Sequence, residues 1–141
     1  MSQNNEFLYS AEIQLRVRYS ETDQMGYCYY GNYAQYFEVG RVEALRELGM
    51  SYKIVEEKGY MLPVSSYNVK YISPAYYDDL LTITTKIIDL KGVRLYFSYD
   101  ITNEKGQLVS TADTTLVFVD KKTMRPTTPP EDFVSLIFSK K

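Results

Sequence analysis

One acidic residue, Asp23, stands where the sequence could do chemistry on a carbonyl group. It lies in an Asp-x-x-Gly loop between an alternating strand and the start of a long helix. A carboxylate in that place could attack a carbonyl carbon or activate a water, while free N–H groups at the helix N-terminus polarise the carbonyl oxygen. An aspartate that only caps a turn gives the same pattern. On spacing alone, the turn is the better interpretation.

The missing residue types exclude several kinds of site. The chain has no histidine, no tryptophan and one cysteine. Without histidine there is no general base for Ser-His-Asp or Cys-His hydrolysis, and the usual ligands of catalytic zinc are missing. A free thiol has a pKa of about 8.5 and no histidine is present to lower it, so we expect Cys28 to be a small buried packing residue. No metal and no redox cofactor are expected.

Bulk composition bounds the class of protein. The 141 residues are 45% hydrophobic and 24% charged, which is ordinary for one globular domain spanning residues 1–141. A net charge of −2 argues against a nucleic-acid partner, since such binders usually carry a basic excess. No apolar run approaches the roughly 18 residues of a membrane helix, and the first residues do not resemble a signal peptide. We expect a cytoplasmic protein without a membrane partner.

Two elements must position Asp23. Residues 12–19 alternate in polarity, as a half-buried strand does. The face expected to be buried comprises Ile13, Leu15, Val17 and Tyr19. Residues 32–48 carry apolar side chains at helical spacing, with Asn32 as the expected N-cap and Gly49 as the C-terminal stop.

The rest of the chain predicts a sheet. After a short helix expected at 51–58, strand-forming residues dominate four segments, which are residues 62–72, 80–90, 93–102 and 108–119. Turn signals at 91–92 and 103–106 join them as hairpins, which favours antiparallel pairing. Gly40, inside the long helix, should allow close approach of the sheet or of a partner, and a short helix should follow Pro130. The predicted class is α+β, with one long helix against a curved antiparallel sheet.

Five short motifs occur together in a fixed order. They are Tyr19-Ser20-Glu21-Thr22-Asp23-Gln24-Met25-Gly26, Tyr29-Tyr30-Gly31-Asn32-Tyr33, Phe37-Glu38, Ser73-Pro74-Ala75 and Tyr77-Asp78-Asp79-Leu80. Their spacings and the order of elements resemble the hotdog-fold acyl-CoA thioesterases of the 4-hydroxybenzoyl-CoA thioesterase family. The resemblance implies a hotdog subunit, whose curved antiparallel sheet wraps around one long central helix. It also implies pairing with a second subunit, with active sites at the interface, as a homodimer or homotetramer.

The resemblance also assigns roles at the helix start. It implies that Asp23 is the catalytic acid and that the backbone N–H of Tyr30 polarises the carbonyl. Gly31 and Asn32 would complete this substrate-binding helix N-terminus. Many relatives carry histidine where this chain has Tyr30, whereas the 4-hydroxybenzoyl branch has tyrosine there, so the substrate class stays open.

Cationic residues at two turns are candidates for coenzyme A. The resemblance implies that Lys91 and Arg94 neutralise its phosphates through charge-assisted hydrogen bonds. Solvated turn residues are an equally good interpretation of both. Lys121, Lys122 and Arg125 form a second, weaker candidate cluster.

Other polar residues receive simpler expectations. Glu21 lies two residues from Asp23, but that separation says little about distance in a loop, so we interpret it as a solvated loop charge. Glu38 and Arg41 can form an (i, i+3) ion pair, and Glu38 could alternatively order the loop that carries Asp23. The tyrosines of residues 60–71, with Tyr76 and Tyr77, could line an acyl pocket or an interface, and core packing explains most of them equally well.

The sequence thus predicts an acyl-CoA thioesterase, which cleaves a thioester into a carboxylic acid and free coenzyme A. Two alternatives stay open, namely the same reaction on acyl carrier protein and a non-catalytic acyl-CoA-binding hotdog protein. Hotdog dehydratases fit poorly because their usual histidine is missing. Neither the acyl group nor the choice between nucleophile and general base for Asp23 follows from the sequence.

Overall fold

The computed structural model describes residues 6–139, which form three helices and seven strands. The helices are α1 (Tyr33–Leu48), α2 (Tyr52–Glu57) and α3 (Glu131–Ser139). The strands are β1 (Tyr9–Arg16), β2 (Tyr60–Met61), β3 (Val64–Tyr71), β4 (Leu80–Lys91), β5 (Arg94–Thr102), β6 (Leu108–Val117) and β7 (Val119–Asp120). Two single-turn 3-10 helices, Tyr19–Glu21 and Tyr30–Asn32, lie between β1 and α1.

Five strands form one sheet in the order β1-β4-β5-β6-β3, and all neighbours are antiparallel. The β4–β5 turn contains Gly92 at φ +60°, and the β5–β6 turn is closed by the Gly106 N–H, which donates to the Asn103 carbonyl at 2.9 Å. Both predicted hairpins are therefore confirmed. Strands β2 and β7 form a separate two-stranded ladder, and β3 lies at one edge of the main sheet.

Helix α1 packs closely on the sheet through Gly40. A Cβ on Gly40 would lie 2.6 Å from Thr85 Oγ1 and 2.8 Å from Ile83 Cγ2, both in β4. Any larger residue would push the helix away, which confirms the expected close approach of the sheet. The helix residues that lie in the core are Tyr33, Tyr36, Phe37, Ala44, Leu45 and Leu48. The α+β prediction, one long helix against an antiparallel sheet, is confirmed.

The two ends of α1 differ in how well the sequence predicted them. Gly49 adopts φ +106° and closes the C-terminus, as expected. At the N-terminus, Asn32 occupies the capping position but its side chain makes no capping hydrogen bond. Its Nδ2 instead donates to the Glu21 carbonyl at 2.8 Å. The expected N-cap position is therefore confirmed, whereas side-chain capping is absent because a 3-10 turn precedes α1 and Asn32 already has helical dihedral angles.

Three predicted strands have different limits in the structure. Strand β1 ends at Arg16, and Tyr19, expected on the buried face, is 78% exposed in the following 3-10 turn. The segment predicted at 62–72 forms a strand only from Val64 to Tyr71, after Pro63, which has no N–H for a ladder. The segment predicted at 108–119 breaks at Phe118. Helix α3 follows Pro130 as predicted.

Candidate active site

A cavity of about 520 Å³ lies where the Asp23 loop meets the start of α1. Asp23 and Tyr30 both line it, so the structure brings together the two residues expected to be catalytic. Three further tyrosines, one methionine and one isoleucine form most of the remaining wall, namely Tyr27, Tyr33, Tyr71, Met25 and Ile72. The site therefore combines one carboxylate with a largely aromatic and apolar surface.

The Asp23 loop is held as a tight turn. The Asp23 N–H donates to the Tyr27 carbonyl at 3.0 Å, and the Asp23 carbonyl accepts from the Gly26 N–H at 3.0 Å. Gly26 has φ +88°, which glycine adopts without strain. Asp23 Oδ1 accepts the Met25 N–H at 2.9 Å, whereas Oδ2 accepts no hydrogen bond from any of residues 6–139. The turn interpretation and the chemical one are thus compatible, since one oxygen holds the turn while the other stays free.

The 3-10 turn before α1 supplies free donors. The Asn32 N–H donates to the Tyr29 carbonyl at 2.9 Å, and the Tyr33 N–H donates to the Tyr30 carbonyl. Within the described part of the chain, the N–H groups of Tyr30 and Gly31 meet no acceptor. A Cβ on Gly31 would lie 2.6 Å from the Tyr29 ring. Glycine is therefore the residue that lets this ring lie against the turn carrying the two free N–H groups.

Glu21 is buried, and its interpretation as a solvated loop charge is wrong. Its side chain forms an ion pair with Arg18 at 2.9 Å and accepts the Tyr36 hydroxyl at 2.7 Å. Burial alone would raise the pKa of Glu21, but hydrogen bonds from Arg18 and Tyr36 outweigh it and hold the pKa below its ordinary value. The 3-10 turn at Tyr19–Glu21 explains why Glu21 is buried, because it directs this side chain toward Arg18 and Tyr36 instead of into solvent.

The predicted Glu38–Arg41 ion pair is also wrong. The Arg41 guanidinium points into the core, where Nε donates to the Tyr52 hydroxyl at 2.7 Å and Nη1 to the Tyr99 hydroxyl at 3.0 Å. Glu38 is exposed and makes no ion pair or hydrogen bond with residues 6–139. Two phenols thus take the place of the expected carboxylate. Glu38 therefore makes no contact with residues 6–139 that could order the Asp23 loop.

Cys28 is the packing residue that the sequence predicted. It is 2% exposed, and its Sγ lies 3.5 Å from the Tyr36 hydroxyl. Burial is the main reason that the pKa of its thiol lies above the ordinary value. The Cys28 N–H donates to the Ala75 carbonyl at 2.7 Å, which ties the loop to the segment before β4.

The turn that carries Lys91 and Arg94 lies away from this cavity. Lys91 and Arg94 flank the β4–β5 hairpin, whereas the cavity adjoins the segment that precedes Leu80, at the other end of β4. A strand of 12 residues spans roughly 40 Å. Lys91 contacts Asp89 at 3.7 Å, and its side chain is largely exposed. Phosphate binding by Lys91 and Arg94 stays a prediction.

The sequence did not single out Tyr36, which contacts the Asp23 loop, and it left the role of Tyr71 open. Tyr36 lies three residues after Tyr33 on the helix face directed toward the Asp23 loop. Tyr71, one of several tyrosines with an open role, lines the cavity, with its ring centroid 5.9 Å from that of Tyr30. By contrast, Tyr76 and Tyr77 do not line this cavity.

Residues 6–139 contain neither a membrane-spanning helix nor a cluster of metal ligands. None of their helices is both long enough and apolar enough to cross a bilayer. In the same part of the chain, no three side chains among His, Cys, Asp and Glu converge as metal ligands would.

Comparison with known proteins places the chain in a family. The sequence profile of the Thioesterase-like superfamily matches residues 17–137. The acyl-CoA thioester hydrolase YbgC of Escherichia coli O6:H1 is 32% identical over 86% of this chain and 90% of its own length. A DHNA-CoA thioesterase from Staphylococcus aureus superimposes with a TM-score of 0.86 and 33% identity, covering 90% of this chain and 87% of that one. A 4-hydroxybenzoyl CoA thioesterase mutant complexed with 4-hydroxybenzoyl CoA gives a TM-score of 0.83 and 25% identity, covering 92% and 99%. This chain therefore belongs to the Thioesterase-like superfamily, as a thioesterase of hotdog fold.

Proposed function

We propose that this protein hydrolyses acyl-CoA thioesters to a free carboxylic acid and coenzyme A, with Asp23 as the reacting acid. One observation carries the proposal. One aromatic-walled cavity is lined both by Asp23, which has one carboxylate oxygen without a hydrogen bond, and by Tyr30, from the turn with the free N–H groups. Relatives whose names specify acyl-CoA or 4-hydroxybenzoyl CoA support coenzyme A as the thiol carrier.

Asp23 can act by two routes with the same products. In the first, its carboxylate attacks the thioester carbonyl carbon, coenzyme A leaves as a thiolate, and water hydrolyses the resulting mixed anhydride. In the second, the carboxylate takes a proton from water while the water oxygen attacks the carbonyl carbon. The tetrahedral intermediate then breaks its C–S bond and expels coenzyme A as a thiolate, to which Asp23 returns the proton. Both routes place negative charge on the carbonyl oxygen, so both need a donor for that oxygen.

The turn before α1 is suited to supply that donor. Tyr30 and Gly31 present N–H groups that no internal acceptor occupies, at the positive end of a 16-residue helix. Such groups are preorganised, and each oxyanion donor typically contributes about 10²–10³ in kcat. Because the donor is a backbone group, the Tyr30 side chain is free to form part of the cavity wall.

A second copy of the chain would complete this site. Strand β3 lies at the sheet edge, pairs only with β6, and leaves the side chains of Val64, Tyr67 and Tyr71 exposed. Such an edge is a template for pairing with another strand. We propose pairing of two copies through β3, as a homodimer or within a homotetramer. Since Tyr71 belongs both to β3 and to the cavity wall, pairing would extend that wall. Sedimentation velocity measures the assembly directly.

The test is thiol release from aromatic, short, medium and long acyl-CoA thioesters, with wild type and Asp23→Asn side by side. Asparagine keeps an oxygen for the Met25 N–H, so the turn should survive while the reacting carboxylate is lost. We expect kcat to fall by about 10³-fold or more, within the range of rate factors for acid–base and covalent catalysis. The matched control is Asp100→Asn, because Asp100 is exposed and lies outside the cavity.

The outcomes separate the alternatives. An Asp23→Asn enzyme with wild-type kcat would refute the assigned role of Asp23. Wild-type turnover of acyl carrier protein thioesters alone would replace coenzyme A by that carrier. Tight binding of acyl-CoA without turnover of any thioester would identify a binding protein.

A further inference from the structure

The buried carboxylate of Glu21 lies two residues before Asp23 and outside the cavity. We propose that Glu21 is a positioning residue, which fixes the Asp23 carboxylate relative to the N–H groups of Tyr30 and Gly31. The proposal rests on the function proposed above. It adds a determinant of the rate that makes no contact with the cavity itself.

The Glu21 side chain is fully engaged. Oε1 accepts the Arg18 N–H at 2.8 Å and the Tyr36 hydroxyl at 2.7 Å. Oε2 accepts Nε of Arg18 at 3.2 Å and Nη2 at 2.9 Å. Burial, together with hydrogen bonding to Cys28 and Glu21, raises the pKa of Tyr36, so its hydroxyl stays a donor. The carboxylate therefore joins the end of the β1 segment to the first turns of α1.

The main-chain carbonyl of Glu21 accepts two hydrogen bonds from the turn that carries the free N–H groups of Tyr30 and Gly31. It accepts the Tyr29 N–H at 2.8 Å and Asn32 Nδ2 at 2.8 Å. These two residues stand immediately before Tyr30 and immediately after Gly31. The two free N–H groups are thus bracketed by two bonds to a single oxygen atom.

The link between Glu21 and Asp23 is short and is held by hydrogen bonds. Only Thr22 separates them, and its Oγ1 donates to the Tyr19 carbonyl at 2.7 Å. Thr22 also bridges Cys28 across the loop in antiparallel fashion. A shift of Glu21 is therefore transmitted in one direction to Asp23 and in the other to Tyr30. Since misplacement of reacting groups by about 1 Å can cost about 10²-fold in rate, a shift of Glu21 should lower kcat.

A carboxylate suits the place better than an amide. All four of its hydrogen bonds come from donors, and a glutamine would turn an NH₂ group toward Arg18 or Tyr36. The Arg18 side chain is largely exposed, so water screens the attraction of the ion pair itself. The expected effect of losing the carboxylate is consequently geometric.

The experiment compares Glu21→Gln with Glu47→Gln. Glu47 also accepts a tyrosine hydroxyl, from Tyr9, but at the opposite end of α1. For Glu21→Gln we expect kcat to fall by about tenfold or more, while the Kd of a non-hydrolysable thioether analogue changes less than about twofold. Glu47→Gln should keep the wild-type kcat. Tyr36→Phe, which removes one hydroxyl, provides a milder variant if Glu21→Gln fails to fold, and kcat should fall for it as well.

A second readout does not depend on turnover. The amide NMR signals of Tyr30 and Gly31 should move in Glu21→Gln and stay in place in Glu47→Gln. Wild-type kcat in both Glu21→Gln and Tyr36→Phe, with unmoved amide signals, would overturn the positioning role. A wild-type protein that turns over no thioester would overturn the proposed function. If the amide signals of Tyr30 and Gly31 still moved in Glu21→Gln of that protein, Glu21 would remain the residue that positions this loop.

Discussion

Replacing Gly40 with alanine should destabilise the fold, although alanine is the better helix former. The new Cβ would lie 2.6 Å from Thr85 Oγ1 and 2.8 Å from Ile83 Cγ2. Thr85 and Ile83 are 1% and 0% exposed, so neither side chain can move out into solvent. Overpacking typically costs about 1–3 kcal/mol. Two contacts this short put the cost near the upper end of that range.

The helix propensity of alanine opposes this cost. It favours Gly40→Ala by about 1 kcal/mol, which leaves a net loss of about 2 kcal/mol in the free energy of unfolding. In domains of roughly this size, 1 kcal/mol shifts Tm by about 2–4 °C. The expected fall in Tm is therefore about 4–8 °C.

Urea unfolding followed by circular dichroism measures the effect. Val39→Ala is the control for propensity, because Val39 is the neighbouring residue of α1 and is exposed; its stability should change by less than about 0.5 kcal/mol. Removal of Thr85 Oγ1 relieves one clash, so Thr85→Ala should cost less in the Gly40→Ala background than in wild type. A Gly40→Ala protein that unfolds at or above the wild-type urea midpoint would refute the overpacking argument.

Two further predictions concern charge. Lys91→Ala and Arg94→Ala should raise KM for coenzyme A thioesters at nearly unchanged kcat; an equal loss with short pantetheine thioesters, which lack the nucleotide, would rule out phosphate recognition. The pKa of Glu21 is held below its ordinary value of 4.5, so its carboxylate contributes stability above that value and loses it as pH falls through the lower folded pKa. The difference in urea midpoint between wild type and Glu21→Gln should therefore be largest near neutral pH and shrink as the pH falls below 4.5, and a difference independent of pH would contradict this linkage.

Regular elements were predictable because local patterns determine them. Alternation and strand-forming residues located all five strands of the main sheet, and helical spacing with Gly49 located α1. The purpose of Gly40 was also predictable, since glycine inside a helix needs a reason and close packing is the usual one. These inferences need only neighbours in sequence.

Partners of polar side chains were less predictable. A spacing of three residues suggested that Glu38 would pair with Arg41, yet tertiary packing offers Arg41 the hydroxyls of Tyr52 and Tyr99. Tyr99 lies 58 residues away, and no local pattern indicates such a contact. A weak surface ion pair of a few tenths of a kcal/mol yields easily to buried hydrogen bonds.

The two acids of one loop show the same limit at the candidate site. Glu21 and Asp23 are separated by one residue and look equivalent in the sequence. In an extended segment their side chains would share a face, but the 3-10 turn that ends at Glu21 breaks this alternation. Glu21 is consequently saturated by four hydrogen bonds, whereas Asp23 keeps one oxygen free at the cavity. This difference favours Asp23 over Glu21 for the proposed reaction, because a carboxylate that already accepts four hydrogen bonds is a poor base and a poor nucleophile.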